Sequence, residues 1–249
     1  MSGPREPVPD RLAVFGALTG EDLRLLSALH ASEPCKEGLQ GLLESGFPFN
    51  LGLILNTAPA GQAMEQLHQA LRDMAGEGFS RRLLDILAVD YADIYLTHAF
   101  SASPQESVWF DEEGCICQQS MFQVREWYRR HGCEAENWRI LADDHLILQL
   151  AFLGQLQRTG MFSEAARFLD EHLLRWIGQF SERVAGRCAT RYFAGLNSLT
   201  AAYLEELRGH LEKILDEPRP GAEEIQRRMG LAGLRAEPIA FMPGTAPGW

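Results

Sequence analysis

Between Pro59 and Pro218 the chain contains a single proline, Pro104. Proline removes a backbone donor and clashes with the preceding turn, so proline-free stretches of this length are where long helices can form. The apolar pattern fills them. Leu84, Leu87, Tyr91, Ile94, Tyr95 and His98 recur at three- and four-residue steps, as do Leu169, Leu173, Trp176, Ile177 and Phe180. Leu196, Leu199, Tyr203, Leu204, Leu207 and Leu211 repeat the pattern, which predicts helices with one buried face each. From Leu146 to Leu153 only Gln149 is polar; a helix that is apolar nearly all round belongs at the centre of a bundle. Ser163 and Thr19 read as N-caps, the latter opening a helix from about Gly20 to Ala31. "NLGLILN" (Asn50 to Asn56) is the one strand-like run, too isolated to build a sheet. The expected fold class is all-α, a single-domain helical bundle with long connecting loops. Its expected organisation is a loose arm over residues 1–18, a helical domain over 19–216 and a Pro/Gly-containing tail over 217–249, with one short helix around Glu223 to Met229.

Length and charge narrow the function classes. At 249 residues the chain can bury a substantial core. A formal net charge of -11 argues against nucleic acid or an anionic membrane as the main partner. No run approaches the roughly 20 apolar residues that cross a bilayer. Prolines stand where a signal peptide needs an apolar run in "MSGPREPVPDRLAVFG". Five irregularly spaced cysteines do not form a disulfide framework. The expected location is the cytoplasm.

Several segments bear groups capable of chemistry. "LADDHLILQL" sets Asp143, Asp144 and His145 ahead of the apolar helix. Carboxylates at that position cap free N–H groups and complement the helix dipole; the same trio suits ligand or peptide recognition. Catalysis by the Asp144/His145 pair lacks a nucleophile motif such as G-x-S-x-G. Cys115/Cys117 and His131/Cys133 have one residue between the paired ligands, poor spacing for zinc. No P-loop or dinucleotide fingerprint is present. No cofactor, catalytic residue or metal ligand is expected. "SASPQESVWFDEEG" (Ser101 to Gly114) interrupts the helices and brings Val108, Trp109 and Phe110 into a loop, either tucked into the core or lining a groove.

In order, "DYADIYL", "SPQESVWFD", "QVREWYRRHG", "ADDHLILQLAFL" and "LDEHLLRW" resemble the TorD/DmsD family of redox-enzyme maturation chaperones, with its NarJ-like relatives. The resemblance covers about Ser80 to Leu215. Tyr91, Ile94 and Tyr95 stand in the family's aromatic helix, and Pro104 to Trp109 match its Pro-[Tyr/Trp]-[Glu/Gly]-Ser-[Val/Ala]-[Tyr/Trp] loop. Gln105 departs from the usual aromatic. Asp144 and His145 match the end of an Asp-His motif in which Leu141 and Ala142 replace Glu-Pro. Leu169, His172, Leu173, Leu174 and Trp176 match a Leu-x-x-His-Leu-Leu-Pro-Trp pattern, with Arg175 at the proline.

The resemblance implies a chaperone that binds the twin-arginine leader of a molybdenum-cofactor oxidoreductase precursor until cofactor insertion is complete, withholding it from export. Some relatives are linked to weak guanine-nucleotide binding, which the missing P-loop does not support. A cationic leader with an apolar stretch needs carboxylates and an apolar groove. The expected peptide-binding residues are Tyr91, Glu106, Ser107, Trp109, Asp144 and His145. Replacing Asp144 and His145 together is expected to weaken leader binding with little loss of stability. The competing readings are a small all-α enzyme using Asp144 and His145, and a structural partner subunit of a redox enzyme. Helical bundles with long connecting loops can exchange elements between copies, so a monomer in equilibrium with a homodimer is compatible with the chaperone reading.

Overall fold

The computed structural model describes residues 10–97, 99–110, 119–136 and 140–230. The helices are α1 (Arg11–Ala31), α2 (Lys36–Glu44), α3 (Ala58–Gly76), α4 (Arg81–Tyr91), α5 (Gln119–Arg130), α6 (Leu146–Arg158), α7 (Phe162–Glu171), α8 (Ile177–Ala185), α9 (Arg191–Leu215) and α10 (Ala222–Arg228). A π turn, Ala92–Leu96, continues α4, and 3-10 turns occupy Glu106–Trp109 and Leu173–Arg175. No strand occurs among the described residues, so the all-α expectation holds. No helix among them is long and apolar enough to cross a membrane.

The chain divides into two units, residues 1–219 and 220–249. The first holds α1 to α9. The second holds α10, where Arg228 pairs with Glu224 within one face of the helix. The short helix expected around Glu223 to Met229 is this one.

Within the first unit, α1 packs on α6, and α9 packs on α3, α7 and α8, while α7 also meets α6. Leu146, Leu150, Leu153 and Leu156 form one buried face of α6, and Gln149 and Phe152 are buried beside it. Each such leucine contributes roughly 2 kcal/mol through its removal from water. Alpha-helices α1 and α6 meet through glycine. A Cβ on Gly16 would lie 2.3 Å from the Gln157 carbonyl oxygen, and one on Gly154 3.2 Å from that of Gly20.

Polar side chains tie the layers. The Asp22 carboxylate of α1 accepts from the Gly52 and Leu53 amides, each at 2.9 Å, and from the Tyr203 hydroxyl of α9 at 3.0 Å. Glu206 of α9 accepts the Asn56 and Thr57 amides. These carboxylates take backbone donors that a strand over "NLGLILN" would have given to a neighbour. Buried His30 of α1 meets the Tyr95 hydroxyl at 2.6 Å and Thr200 Oγ1 of α9 at 2.9 Å.

Helix starts differ from the sequence reading in two places. Helix α1 begins at Arg11, with Asp10 accepting the Leu12 amide as its cap, so residues 11–18 are helical. Thr19 sits mid-helix, its hydroxyl directed at the Phe15 carbonyl and Gln157. Helix α7 starts at Phe162, one residue before the expected Ser163 cap. The pattern from Leu169 to Phe180 is also not one helix. It breaks at His172, whose backbone (φ -126°, ψ -84°) leaves the helical region, and resumes as α8.

Candidate functional site

The loop carrying Pro104 closes against the segment that carries Asp143, Asp144 and His145. The Leu146 amide donates to the Pro104 carbonyl at 2.8 Å, and the Glu106 amide to the Asp144 carbonyl at 3.1 Å. Gln105 and His145 face each other as an isolated antiparallel bridge. Proline suits this position because an X-Pro segment is extended and its carbonyl still accepts. The loop then tightens into the 3-10 turn, and Trp109 Nε1 donates to the Ser103 carbonyl at 2.9 Å.

The three residues of the Asp-Asp-His run serve three elements. Asp143 Oδ2 accepts from Arg125 of α5 through Nε at 2.9 Å and a terminal nitrogen at 2.7 Å. Its carbonyl accepts the Tyr128 hydroxyl at 2.8 Å. Asp144 Oδ2 accepts the Ser107 amide at 2.8 Å, a donor at the start of the 3-10 turn. His145, not an aspartate, caps α6: its Nδ1 accepts the Ile147 amide at 3.2 Å, which leaves that nitrogen without its proton. Burial raises the Asp144 carboxyl above the ordinary carboxylate range, against the hydrogen bonds from Ser107 and with the nearby Glu106. Burial also pushes the Tyr128 hydroxyl well above its usual value, helped by Asp143, Asp144 and Glu106.

Glu106 is fully buried and connects the loop to the bundle. Its carboxylate accepts from Gln149 Nε2 of α6 at 3.0 Å and lies 3.0 Å from His172 Nδ1. Because a carboxylate only accepts, Nδ1 is the donor there. Gln149, the lone polar residue of the apolar run, also donates to the Asp144 carbonyl at 2.8 Å, which explains its place inside α6. The break between α7 and α8 is what turns His172 toward Glu106.

These bonds bring Glu106, Ser107, Asp144 and His145 together, and Trp109 ends the same 3-10 turn with its ring on Trp176 and Phe180. Tyr91 does not join them. Its ring packs 5.0 Å from Tyr95 and 6.4 Å from Phe193, and its hydroxyl donates to the Ala31 carbonyl at 2.9 Å. Glu106, Ser107, Asp144 and His145 are buried, whereas Trp109 and Tyr91 remain partly exposed.

Residues outside the expected peptide-binding set complete the outer face around Trp109. Trp109 stacks on buried Trp176 with centroids 6.4 Å apart and an interplanar angle of 27°. The guanidinium of Arg183 lies over Trp109 at 4.5 Å, and that of Arg175 over Phe110 at 3.9 Å. Arg175 also reaches to 3.8 Å from Glu106 Oε1. Arg183 of α8 and Arg187 in the turn just after it donate to the Ser101 and Phe100 carbonyls, so this end of α8 holds the loop from outside.

Among the described residues, no group of three or more His, Cys, Asp or Glu is arranged to hold a metal. Cys115 and Cys117 lie outside the described residues.

The family model described as nitrate reductase delta subunit matches residues 56–182, which take in α3 to α7, the Pro104 loop and the Asp-Asp-His segment. Among curated proteins, a chaperone protein TorD from Vibrio cholerae serotype O1 is 29% identical over 143 residues, 53% of this chain. The match spans 64% of the length of that relative. One from Shewanella sp. (strain MR-4) is 25% identical over 199 residues, 77% of this chain and 93% of the relative. One from Shewanella loihica is 26% identical over 188 residues, 73% and 87% respectively.

Proposed function

Because the chain belongs to the nitrate reductase delta subunit family, which includes the TorD-like proteins, we propose that it is a redox-enzyme maturation chaperone and not an enzyme. The client is the precursor of a molybdenum-cofactor oxidoreductase, met in the cytoplasm. The chain holds the client's twin-arginine leader while cofactor is inserted and keeps the precursor from export until then. The observation that carries this reading is that the family match covers the segments forming the Pro104 loop and its buried support.

The same geometry weighs against catalysis by Asp144 and His145. Asp144 is occupied by the Ser107 amide and His145 by the Ile147 amide, so the pair acts as scaffolding. For peptide capture, the buried carboxylates fix the loop and support its outer face. The partly exposed Trp109 and Tyr91 offer aromatic surface to the leader. Net charge of -11 adds long-range attraction for a cationic segment.

The test is affinity capture of the full chain from cytoplasm of its own cells while they make a molybdoenzyme, followed by titration with the synthetic leader of any precursor found. A molybdoenzyme precursor retaining its leader, and a leader titration that weakens when the arginine pair becomes alanine, would support the reading. Absence of precursor from cells making one, with no binding of its leader, would sink it.

A further inference from the structure

Two of the chain's own arginines sit on the aromatic rings of the Pro104 loop, one of which, Trp109, the leader reading offers to the leader. Arg183 covers Trp109 at 4.5 Å, and Arg175 covers Phe110 at 3.9 Å while standing 3.8 Å from the Glu106 carboxylate. Trp109 stacks on Trp176 behind it and donates to the Ser103 carbonyl, which together set its orientation. An oriented aromatic face with a guanidinium on it has the chemistry of an arginine-binding surface. Arg183 and Phe110 are exposed, so a solvent-borne guanidinium has access to both.

We propose that the Trp109–Phe110 face is a guanidinium-binding surface occupied in cis by Arg183 and Arg175, and that a bound peptide's arginine pair replaces them by exchange. This rests on the leader reading only for the identity of the peptide; the surface itself is defined by the contacts above. Exchange keeps the rings covered by a guanidinium throughout, while buried Glu106 retains Gln149 and His172 as partners in both states. It also sets specificity. Lysine, a compact and strongly hydrated cation, does not stack on a ring as a planar guanidinium does. The internal arginines therefore raise the threshold for binding and favour an arginine pair over scattered positive charge.

The experiment titrates the full chain with acetyl-Arg-Arg-amide and acetyl-Lys-Lys-amide, reading the fluorescence that disappears in Trp109→Phe controls. It compares wild type, Arg183→Ala and Arg183→Gln, with circular dichroism to confirm folding. Glutamine retains a donor for the Ser101 carbonyl while removing the charge, so it separates loss of the guanidinium from loosening of the loop. Both variants should bind the arginine probe about threefold to tenfold more tightly than wild type, the range expected for removing one cation–π competitor. The lysine probe should gain little. Unchanged or weaker arginine binding in both variants overturns the proposal. Leader binding that is unaffected by either variant overturns it too, while leaving the chaperone reading intact. Failure of every form to bind leader, with the dipeptide behaving as expected, would instead retain the surface and reject the chaperone reading.

Discussion

Asp144 accepts the Ser107 amide in a buried site where burial raises its carboxyl above the ordinary range. A carboxyl whose folded pKa exceeds its unfolded one adds most stability at low pH and loses that contribution as pH rises through the folded value. Asp144→Asn, which keeps an acceptor but carries no charge, should therefore gain on wild type as pH rises above about 4, the usual range for an aspartate. Asp144→Ala leaves the Ser107 amide without its partner and should cost about 1–3 kcal/mol in denaturant unfolding. The sequence expectation that Asp144 and His145 can be replaced with little loss of stability is therefore revised, since both accept backbone amides from within the fold. His30 behaves oppositely. Burial, assisted by His145, lowers it from 6.5 to about 3. The unfolded histidine takes up a proton at higher pH than the folded one, so this contribution is lost as pH falls from about 6.5 toward 3. His30→Gln should be less stable than wild type at pH 7, and chemical unfolding at a series of pH values should show the gap narrowing toward pH 4. A gap that stays constant would remove His30 from the pH response.

The α1–α6 contact shows how packing overrides helix propensity. Alanine is favoured over glycine by about 1 kcal/mol in a helix interior. At Gly16, however, the added methyl would lie 2.3 Å from the Gln157 carbonyl, a backbone atom that cannot move without shifting α6. Gly16→Ala should cost about 2–3 kcal/mol, as overpacking does. Gly209, inside α9 with nothing within 4 Å of the same position, has the opposite outcome: Gly209→Ala should stabilise by about 0.5–1 kcal/mol. Thermal unfolding of the two variants side by side checks both signs. The break at His172 is a second contest at this scale. The apolar spacing from Leu169 to Phe180 is continuous, yet the chain leaves the helix to bring His172 onto Glu106.

At the scale of the whole molecule, the charge of -11 gives the chain a field that favours cationic partners. Association with a twin-arginine leader should slow with salt, by about tenfold from low to high ionic strength, while dissociation changes less. Stopped-flow mixing at several salt concentrations measures this, and a rate indifferent to salt would show that short-range contacts alone drive capture. The helical class was legible because proline placement and three- to four-residue apolar spacing are local properties that water and backbone sterics enforce on any chain. Through the resemblance to a known family, residues of the Pro104 loop and of the Asp-Asp-His segment were placed in one expected set, but that the two segments close on each other came from the structure. What each residue does there was not legible. Asp143 faces Arg125, Asp144 faces Ser107 and His145 turns back on its own helix, although all three are adjacent in sequence. The Arg175 and Arg183 contacts with the loop aromatics were equally hidden, since they join segments about 65 to 75 residues apart. Sequence alone determined that this protein would be a helical bundle with a buried central helix, because burial of apolar faces is written in periodicity. Only the tertiary structure decided which carboxylates are scaffolding and which aromatic face remains within reach, because burial and pairing depend on groups brought together by the fold.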